Sequence, residues 1–220
     1  MYIDSANLEE IQELISFGVF KGVTTNPTLL LKEKVERIAQ LNNILDLGIQ
    51  ELFVQLEGRS LSELYDDFLL LQMQLNEPEK IAYKIPINQA GILTIKKILK
   101  DYPEATLLGT AIYSAEQMYV AILAGCTFVA PYINRMQVQG IDAYEMISSA
   151  NRFILKQKKP CQIMGASFKN SQQVRLIYDA GADTVTLPKD IVLQMINREG
   201  ANQAIAIFNQ DGQQLREIST

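Results

Sequence analysis

The sequence of 220 residues contains no histidine, and this absence removes several kinds of active site. Histidine is the usual general base near neutral pH and a frequent ligand of catalytic zinc. A histidine-ligated zinc enzyme, a Ser-His-Asp hydrolase and a Cys-His enzyme are therefore excluded. Any acid–base chemistry must use Lys, Asp, Glu or Tyr side chains.

Other features are scarce as well. The two cysteines, Cys126 and Cys161, lie far apart in apolar surroundings, so we expect free buried thiols. No apolar run approaches the roughly 18–20 residues that a membrane span requires. The net charge is −5 and there is no long basic run, which argues against nucleic acid or an anionic membrane as partner. Because the first residues enter a strand pattern directly, we expect no signal peptide and a cytoplasmic location.

What the chain does have is an alternation of short apolar runs with amphipathic stretches. The predicted strands are residues 1–4, 22–25, 52–56, 81–87, 106–110, 128–131, 162–165 and 183–187. The predicted helices, with apolar residues at i, i+3, i+4 and i+7, are 7–17, 34–47, 61–75, 90–100, 115–124, 143–156 and 171–180. Ser60 and Ser114 are placed to cap helix N-termini, and Gly125 and Gly181 follow helix ends.

Strands that alternate with helices form parallel sheets, and eight such units in this length favour a compact (β/α)₈ TIM barrel. No Pro-, Gly- or Ser-rich linker divides the sequence, so we expect residues 1–220 to form a single domain. A further C-terminal helix is predicted over residues 201–210. It would pack on the barrel or on a neighbouring subunit.

Lys84 is the most unusual residue of the predicted strands, because it lies inside an apolar run that is typical of a strand buried on both faces. A buried lysine has a lowered pKa, and its neutral amine can form a Schiff base with a carbonyl substrate. An ion pair between Lys84 and a carboxylate of the barrel is the structural alternative. On strand four, Ala82 and Pro86 share the face of Lys84, and the small Ala82 leaves room beside it.

Catalytic groups of a barrel come from the carboxyl ends of its strands. Seven consecutive strands each offer a polar residue there, which predicts a pocket rather than seven separate structural coincidences. On strand three, Phe53 and Gln55 share one face while Leu52, Val54 and Leu56 face the helices. The candidates, in strand order, are Asp4, Thr24, Asn26, Gln55, Lys84, Thr110, Tyr132, Arg135 and Ser167.

Five short segments that contain most of these candidates resemble the transaldolase family. The resemblance covers essentially the whole chain, with the segments in the same order. They are residues 23–28 (VTTNPT), 83–86 (YKIP), 108–111 (LGTA), 130–135 (APYINR) and 166–169 (ASFK). The similarity is closest to the fructose-6-phosphate aldolase branch. Transaldolases proper carry glutamate at the position of Gln55, an Asn-Val-Thr-Leu type segment around Thr110, and phenylalanine at Tyr132. Two positions depart from the branch: Thr28 replaces a serine and Asn88 replaces a threonine, and either could affect substrate selectivity.

The resemblance implies a role for each candidate. Lys84 would form the Schiff base, and Tyr132, with Gln55 and Thr110, would position a water and move the proton of the C4 hydroxyl. Asp4 and Asn26 would bind the hydroxyls of the donor unit, with Asp4 also holding Lys84. Arg135 and Ser167 would bind phosphate, as a guanidinium and a hydroxyl suit a dianion. Thr24 and Phe53 would belong to the substrate-binding wall.

The expected activity is that of a metal-independent class I aldolase, which cleaves fructose 6-phosphate to dihydroxyacetone and glyceraldehyde 3-phosphate. Hydroxyacetone is a further donor candidate, and neither metal nor pyridoxal phosphate is expected. The alternatives are a transaldolase of the pentose phosphate pathway, a barrel in which Lys84 binds pyridoxal phosphate, and a non-catalytic sugar-phosphate binder. The resemblance also implies a homo-oligomer, a decamer of two stacked pentamers.

Overall fold

The computed structural model describes residues 1–218 and shows a closed barrel of eight parallel strands in sequential order. The strands are β1 (Tyr2–Asp4), β2 (Gly22–Thr24), β3 (Glu51–Gln55), β4 (Ile81–Pro86), β5 (Thr106–Ile112), β6 (Phe128–Pro131), β7 (Gln162–Gly165) and β8 (Thr184–Leu187). This arrangement confirms the predicted (β/α)₈ TIM barrel.

Eleven α-helices are described within residues 1–218. They are α1 (Leu8–Ile15), α2 (Pro27–Glu33), α3 (Arg37–Leu45), α4 (Leu61–Gln74), α5 (Gln89–Asp101), α6 (Ala115–Ala124), α7 (Ile133–Val138), α8 (Ala143–Gln157), α9 (Ser171–Asp179), α10 (Lys189–Ile196) and α11 (Glu199–Ile218). No helix in this part of the chain is both long and apolar enough to cross a membrane.

Helix ends follow the predicted local chemistry. The Ser60 and Ser114 hydroxyls accept hydrogen bonds from the backbone N–H groups of Glu63 and Gln117, each at 3.2 Å. Gly125 ends α6 at φ = +110°, in the left-handed region that favours glycine. Caps of this kind typically contribute about 1 kcal/mol each.

Three helices were absent from the prediction, namely α2, α7 and α10, and each begins within three residues of the end of a strand. The predicted helix 34–47 is wrong at its start. Lys34 is the left-handed C-cap of α2 at φ = +56°, and α3 begins only at Arg37. The C-terminal helix is also longer than predicted, since α11 extends from Glu199 to Ile218.

Strand alternation divides the apolar side chains into two layers. The inner layer fills the barrel and consists of Tyr2, Phe53, Ala82, Leu108, Ala130, Met164 and Ala166. The larger outer layer lies between the strands and the helices and includes Leu52, Val54, Leu56, Tyr83 and Ile85. The predicted faces of β3 and β4 are therefore confirmed. Cys126 and Cys161 are buried free thiols, as expected, and burial raises the pKa of each to about 12.

Candidate active site

A cavity of about 550 Å³ lies at the carboxyl ends of the strands, inside the mouth of the barrel. Its wall is mixed, with apolar residues of the inner layer at the base and polar side chains around the rim. All the predicted site residues except Phe53 line it: Asp4, Thr24, Asn26, Gln55, Lys84, Thr110, Tyr132, Arg135 and Ser167. Eight strands thus bring side chains that are up to 182 positions apart in sequence, Asp4 and Thr186, to one cavity.

Lys84 is 7% exposed, and its Nζ donates a hydrogen bond to the backbone oxygen of Thr25 at 2.7 Å. Burial lowers the pKa of Lys84, and the negative charge of Asp4 partly opposes that shift. No salt bridge within 4.0 Å joins these two side chains in the described residues. The ion-pair alternative therefore does not describe Lys84, whose amine is held by a neutral carbonyl.

A chain of hydroxyl groups ends on Asp4. The Thr24 hydroxyl donates to Asp4 Oδ1 at 2.9 Å and lies 2.6 Å from the Thr186 hydroxyl. Because a hydroxyl has a single proton, Thr186 must donate to Thr24 when Thr24 donates to the carboxylate. Burial raises the pKa of Asp4 against the opposing effects of Lys84, Thr24 and Arg135.

On the opposite side of the barrel, Tyr132 and Thr110 form a hydroxyl pair with their oxygens 3.0 Å apart. Thr110 comes from β5 and is fully buried, whereas Tyr132 follows β6 directly and is partly exposed to the cavity. A phenol whose hydroxyl is held by a fixed neighbour is oriented to exchange a proton with a bound molecule.

Three further residues contribute to the charge and polarity of the rim. The guanidinium of Arg135, on the first turn of α7, lies over the Tyr132 ring with Cζ 4.8 Å from the ring centroid. Ser167 follows β7 with φ = +61°, and its backbone oxygen accepts from the Asn134 N–H at 2.8 Å. Asn26 caps α2, because its side-chain oxygen accepts from the Leu29 N–H at 3.0 Å.

Gln55 ends β3 and is positioned through its backbone. Arg37 of α3 donates to the Gln55 backbone oxygen at 2.9 Å, and the same guanidinium binds Asp67 of α4 through contacts of 2.6 and 3.0 Å. One arginine thus ties two outer helices to the end of β3. The Gln55 side chain remains directed into the cavity wall.

Phe53 is the one predicted site residue that the structure does not place on the cavity wall. It is fully buried one layer below, where its ring packs edge-on against Tyr2 at 5.1 Å and Phe128 at 5.2 Å. Phe53 and Gln55 do share a face, but two residues along a strand separate them by about 6.6 Å in depth. We therefore correct Phe53 from the substrate-binding wall to the packed interior beneath it.

Two polar residues of the cavity were missed by sequence reasoning, Thr186 on β8 and Tyr113 just after β5. Thr186 could have been found by applying the strand-end argument to the eighth strand. Of the two unusual positions in the family pattern, Thr28 lines the cavity, whereas Asn88 caps α5 by accepting from the Gly91 N–H at 2.9 Å. Threonine and asparagine both cap helices, so the change at Asn88 is explained by helix capping.

The comparison with known protein families decides the kind of protein. The family model described as Transaldolase/Fructose-6-phosphate aldolase matches residues 1–219. The chain belongs to this family. As a member of the transaldolase/fructose-6-phosphate aldolase family, it is an enzyme of aldolase or transaldolase type.

In this family member the cavity combines three chemical capabilities. It holds an amine with a lowered pKa, a phenol that can exchange protons, and a cation at the mouth. Within residues 1–218, no group of three or more His, Cys, Asp or Glu side chains has the proximity that a metal ion requires. The amine, the phenol and the guanidinium line the cavity together with the Asp4 carboxylate.

Proposed function

We propose that this enzyme is a class I aldolase that cleaves fructose 6-phosphate to dihydroxyacetone and glyceraldehyde 3-phosphate through a Schiff base on Lys84. The observation that carries the proposal is the state of Lys84. Its amine is buried, has a lowered pKa, and faces the same cavity as the Tyr132–Thr110 pair. A neutral amine is the form that attacks a ketone.

The reaction begins when Lys84 Nζ attacks C2 of the open-chain ketose and water leaves, giving a protonated imine. Removal of the C4 hydroxyl proton then breaks the C3–C4 bond, and its electron pair moves toward the iminium nitrogen. Glyceraldehyde 3-phosphate is the aldehyde product, and an enamine stays on Lys84. Protonation at C3 and hydrolysis of the imine release dihydroxyacetone and restore the amine. The imine itself accepts the electrons, so the proposal requires neither metal nor pyridoxal phosphate.

Tyr132 is the proposed acid–base group, since it lies in the cavity with its hydroxyl paired to Thr110. It would accept the C4 hydroxyl proton and return a proton to C3, directly or through a water held with Gln55. General acid–base groups typically contribute 10²–10⁴-fold in rate. The resemblance of Gln55, Thr110 and Tyr132 to the aldolase branch supports release of free dihydroxyacetone.

The remaining wall residues suit the two ends of the sugar phosphate. Asp4, Thr24 and Asn26 lie together on the β1–β2 side and would bind the hydroxyls of the dihydroxyacetone or hydroxyacetone unit. Arg135 and Ser167, on the β6–β7 side, would bind the phosphate of the aldehyde unit. A charged sugar phosphate does not readily cross a membrane and so remains inside the cell. This supports the proposed cytoplasmic location.

Borohydride reduction in the presence of dihydroxyacetone tests the Schiff base. We expect an adduct on Lys84 in the native enzyme and none in Lys84→Met, with a loss of turnover of at least about 10³-fold, as for removal of other covalent nucleophiles. Lys96→Met is the matched control, since Lys96 is exposed on α5. An adduct on another lysine, or an imine absorbance in the purified protein before substrate is added, would contradict the proposal.

A transaldolase is the second candidate, because the family description names this activity as well. Such an enzyme passes the dihydroxyacetone unit from fructose 6-phosphate to an aldose acceptor instead of releasing it. Product analysis with and without erythrose 4-phosphate separates the two activities. An aldolase releases dihydroxyacetone without an acceptor, whereas much faster formation of sedoheptulose 7-phosphate would assign the enzyme as a transaldolase.

A further inference from the structure

The edge of the cavity contains a break in strand register. Gly109 of β5 pairs with Val129 of β6, but Ile112 pairs with Pro131, so β5 has one more residue than β6 in this interval. An extra residue of this kind is a β-bulge, and it reverses the side-chain alternation beyond it. Thr110 faces the cavity, yet Ile112 faces the outer layer and Tyr113 faces the cavity.

The backbone of the bulge is held in an uncommon conformation. Ala111 has φ = +56°, in the left-handed region that non-glycine residues seldom occupy. The Gln117 side chain braces this turn, since its Oε1 accepts from the Tyr113 N–H at 2.8 Å and its Nε2 donates to the backbone oxygens of Ile87 at 3.3 Å and Ala111 at 3.5 Å. Strain of this kind persists where the surrounding structure fixes it, often at functional sites.

The bulge brings Tyr113 into contact with two residues of the proposed site. Its ring meets the Tyr132 ring edge-on, with centroids 5.7 Å apart. The Arg135 guanidinium lies over the other ring and interacts with the Tyr113 hydroxyl, and this interaction raises the pKa of Arg135. Tyr113, Tyr132 and Arg135 therefore form one cluster on the cavity wall.

The position of the Tyr113 hydroxyl beside a guanidinium, which can only donate, leaves the tyrosine proton available. A tyrosine hydroxyl that accepts from a guanidinium keeps its own proton for another partner, and the neighbouring positive charge strengthens it as a donor. Ser167, whose hydroxyl can also donate, lines the same cavity. Two hydroxyl groups and a guanidinium are hydrogen-bond donors that suit a phosphate dianion.

We propose that Tyr113 is a specificity-determining residue that selects phosphorylated substrates, by fixing Arg135 and donating its own hydroxyl proton to the phosphate. This inference deepens the proposed function and rests on it. If Tyr113 served only to fill the cavity wall, its ring would be sufficient and its hydroxyl would have no need to lie beside Arg135. The bulge aims this particular side chain at the anion-binding side of the cavity.

The test uses Tyr113→Phe and two acceptors in the synthesis direction, with dihydroxyacetone as donor. For glyceraldehyde 3-phosphate we expect KM to rise roughly tenfold, as for loss of a hydrogen bond to a charged group, with kcat within twofold. For unphosphorylated glyceraldehyde we expect no change in KM. In an Arg135→Gln background the same substitution should raise KM by a smaller factor, because only the direct hydrogen bond to the phosphate is then lost. Tyr119→Phe is the control, because its hydroxyl contacts Ser149 outside the cavity.

An equal fall in kcat for both acceptors, an unchanged KM for glyceraldehyde 3-phosphate, or a full tenfold effect in the Arg135→Gln background would overturn the inference. Calorimetry with inorganic phosphate gives a readout that does not depend on turnover: Tyr113→Phe should bind phosphate about tenfold more weakly than the native enzyme. Failure of the proposed aldolase chemistry would be recognised separately, by the absence of a Lys84 adduct in the native enzyme.

Discussion

At Lys84, burial and the charge of Asp4 act on the ammonium group in opposite directions. Burial is the larger influence and lowers the pKa, while Asp4 raises it. The absence of a close ion pair matters here, because a carboxylate in direct contact would hold the lysine in its charged form. The site keeps the carboxylate within electrostatic reach and gives the amine a neutral hydrogen-bond acceptor instead.

This balance predicts the effect of Asp4→Asn on Lys84. Without the negative charge, the ammonium loses the interaction that raised its pKa, so the pKa of Lys84 should fall further. The rate at which Lys84 is acylated, followed by mass spectrometry over a pH series, measures the amount of neutral amine directly. The acidic limb of this profile should move to lower pH in Asp4→Asn.

Asp179→Asn is the matched control, because Asp179 pairs with Arg175 on the exposed face of α9. Its profile should coincide with that of the native enzyme. A shift of the Asp4→Asn profile to higher pH, or no shift, would show that Asp4 does not act on the amine electrostatically. The measurement needs no substrate, so a separate role of Asp4 in binding does not affect it.

The sequence pattern correctly predicted the face on which a side chain lies where the in–out alternation along a strand is unbroken. Lys84 and Ala82 share the inner face of β4 as predicted, because that strand pairs regularly with β3 and β5. Tyr113 escaped prediction because an insertion of one residue in β5 changes the parity, and nothing in the residue names marks the bulge. The sequence also did not indicate how far below the mouth of the barrel each inward-facing residue of a strand lies. Phe53 was therefore placed on the cavity wall instead of in the interior beneath it.

At the scale of elements, α3 and α4 are joined to β3 by the contacts of Arg37. Its guanidinium is 18% exposed and Asp67 is 10% exposed, so both charges are largely removed from water. Removing one partner from such a pair leaves the other charge buried and unpaired. The helices outside the barrel thereby influence where the carboxyl end of β3, and with it Gln55, is held.

We accordingly expect Arg37→Ala to lower the free energy of unfolding by about 3 kcal/mol. Urea denaturation followed by circular dichroism measures this loss. Arg175→Ala provides the comparison, because Arg175 and Asp179 are 64% and 61% exposed and such pairs contribute only about 0–1 kcal/mol. Equal effects of the two substitutions would mean that the Arg37 contacts do not stabilise the fold beyond a surface pair.

Sequence reasoning did not recognise the helices that begin only two or three residues after a strand, and it assigned their first residues to the loops at the strand ends. Thr24 and Asn26 were predicted as site residues, and Asn26 is also the N-cap of α2, which begins at Pro27. The same segment therefore lines the cavity and also begins a helix, and periodicity over seven residues is too short to reveal that helix. The long amphipathic helices α4, α5 and α8 were predicted because several turns repeat the pattern.

At the scale of the whole molecule, α11 leaves apolar side chains uncovered within the described chain. Ile205, Phe208 and Ile218 are 54%, 69% and 82% exposed, and α11 contributes no buried residue. Exposed apolar faces of this extent are typical of contact surfaces. We propose that α11 packs on a neighbouring subunit in a homo-oligomer, with the decamer implied by the family resemblance as the expected assembly.

Light scattering tests this assembly. A decamer has a mass of roughly 250 kDa, ten times the chain mass of 24.7 kDa. Phe208→Glu should lower the mass, because it places a charge on the apolar face, whereas Gln210→Glu adds the same charge at an already polar position of α11. A monomeric mass for the native protein would remove the proposal, and equal masses for both variants would place the contact elsewhere.

The packed interior beneath the cavity also constrains the route by which molecules reach and leave the site. Phe53, Tyr2 and Phe128 fill the barrel axis, so no molecule can leave through the opposite end. In the proposed reaction, the first aldehyde would depart through the same mouth by which water or a second aldehyde later arrives. Every exchange at Lys84 would then share a single entrance.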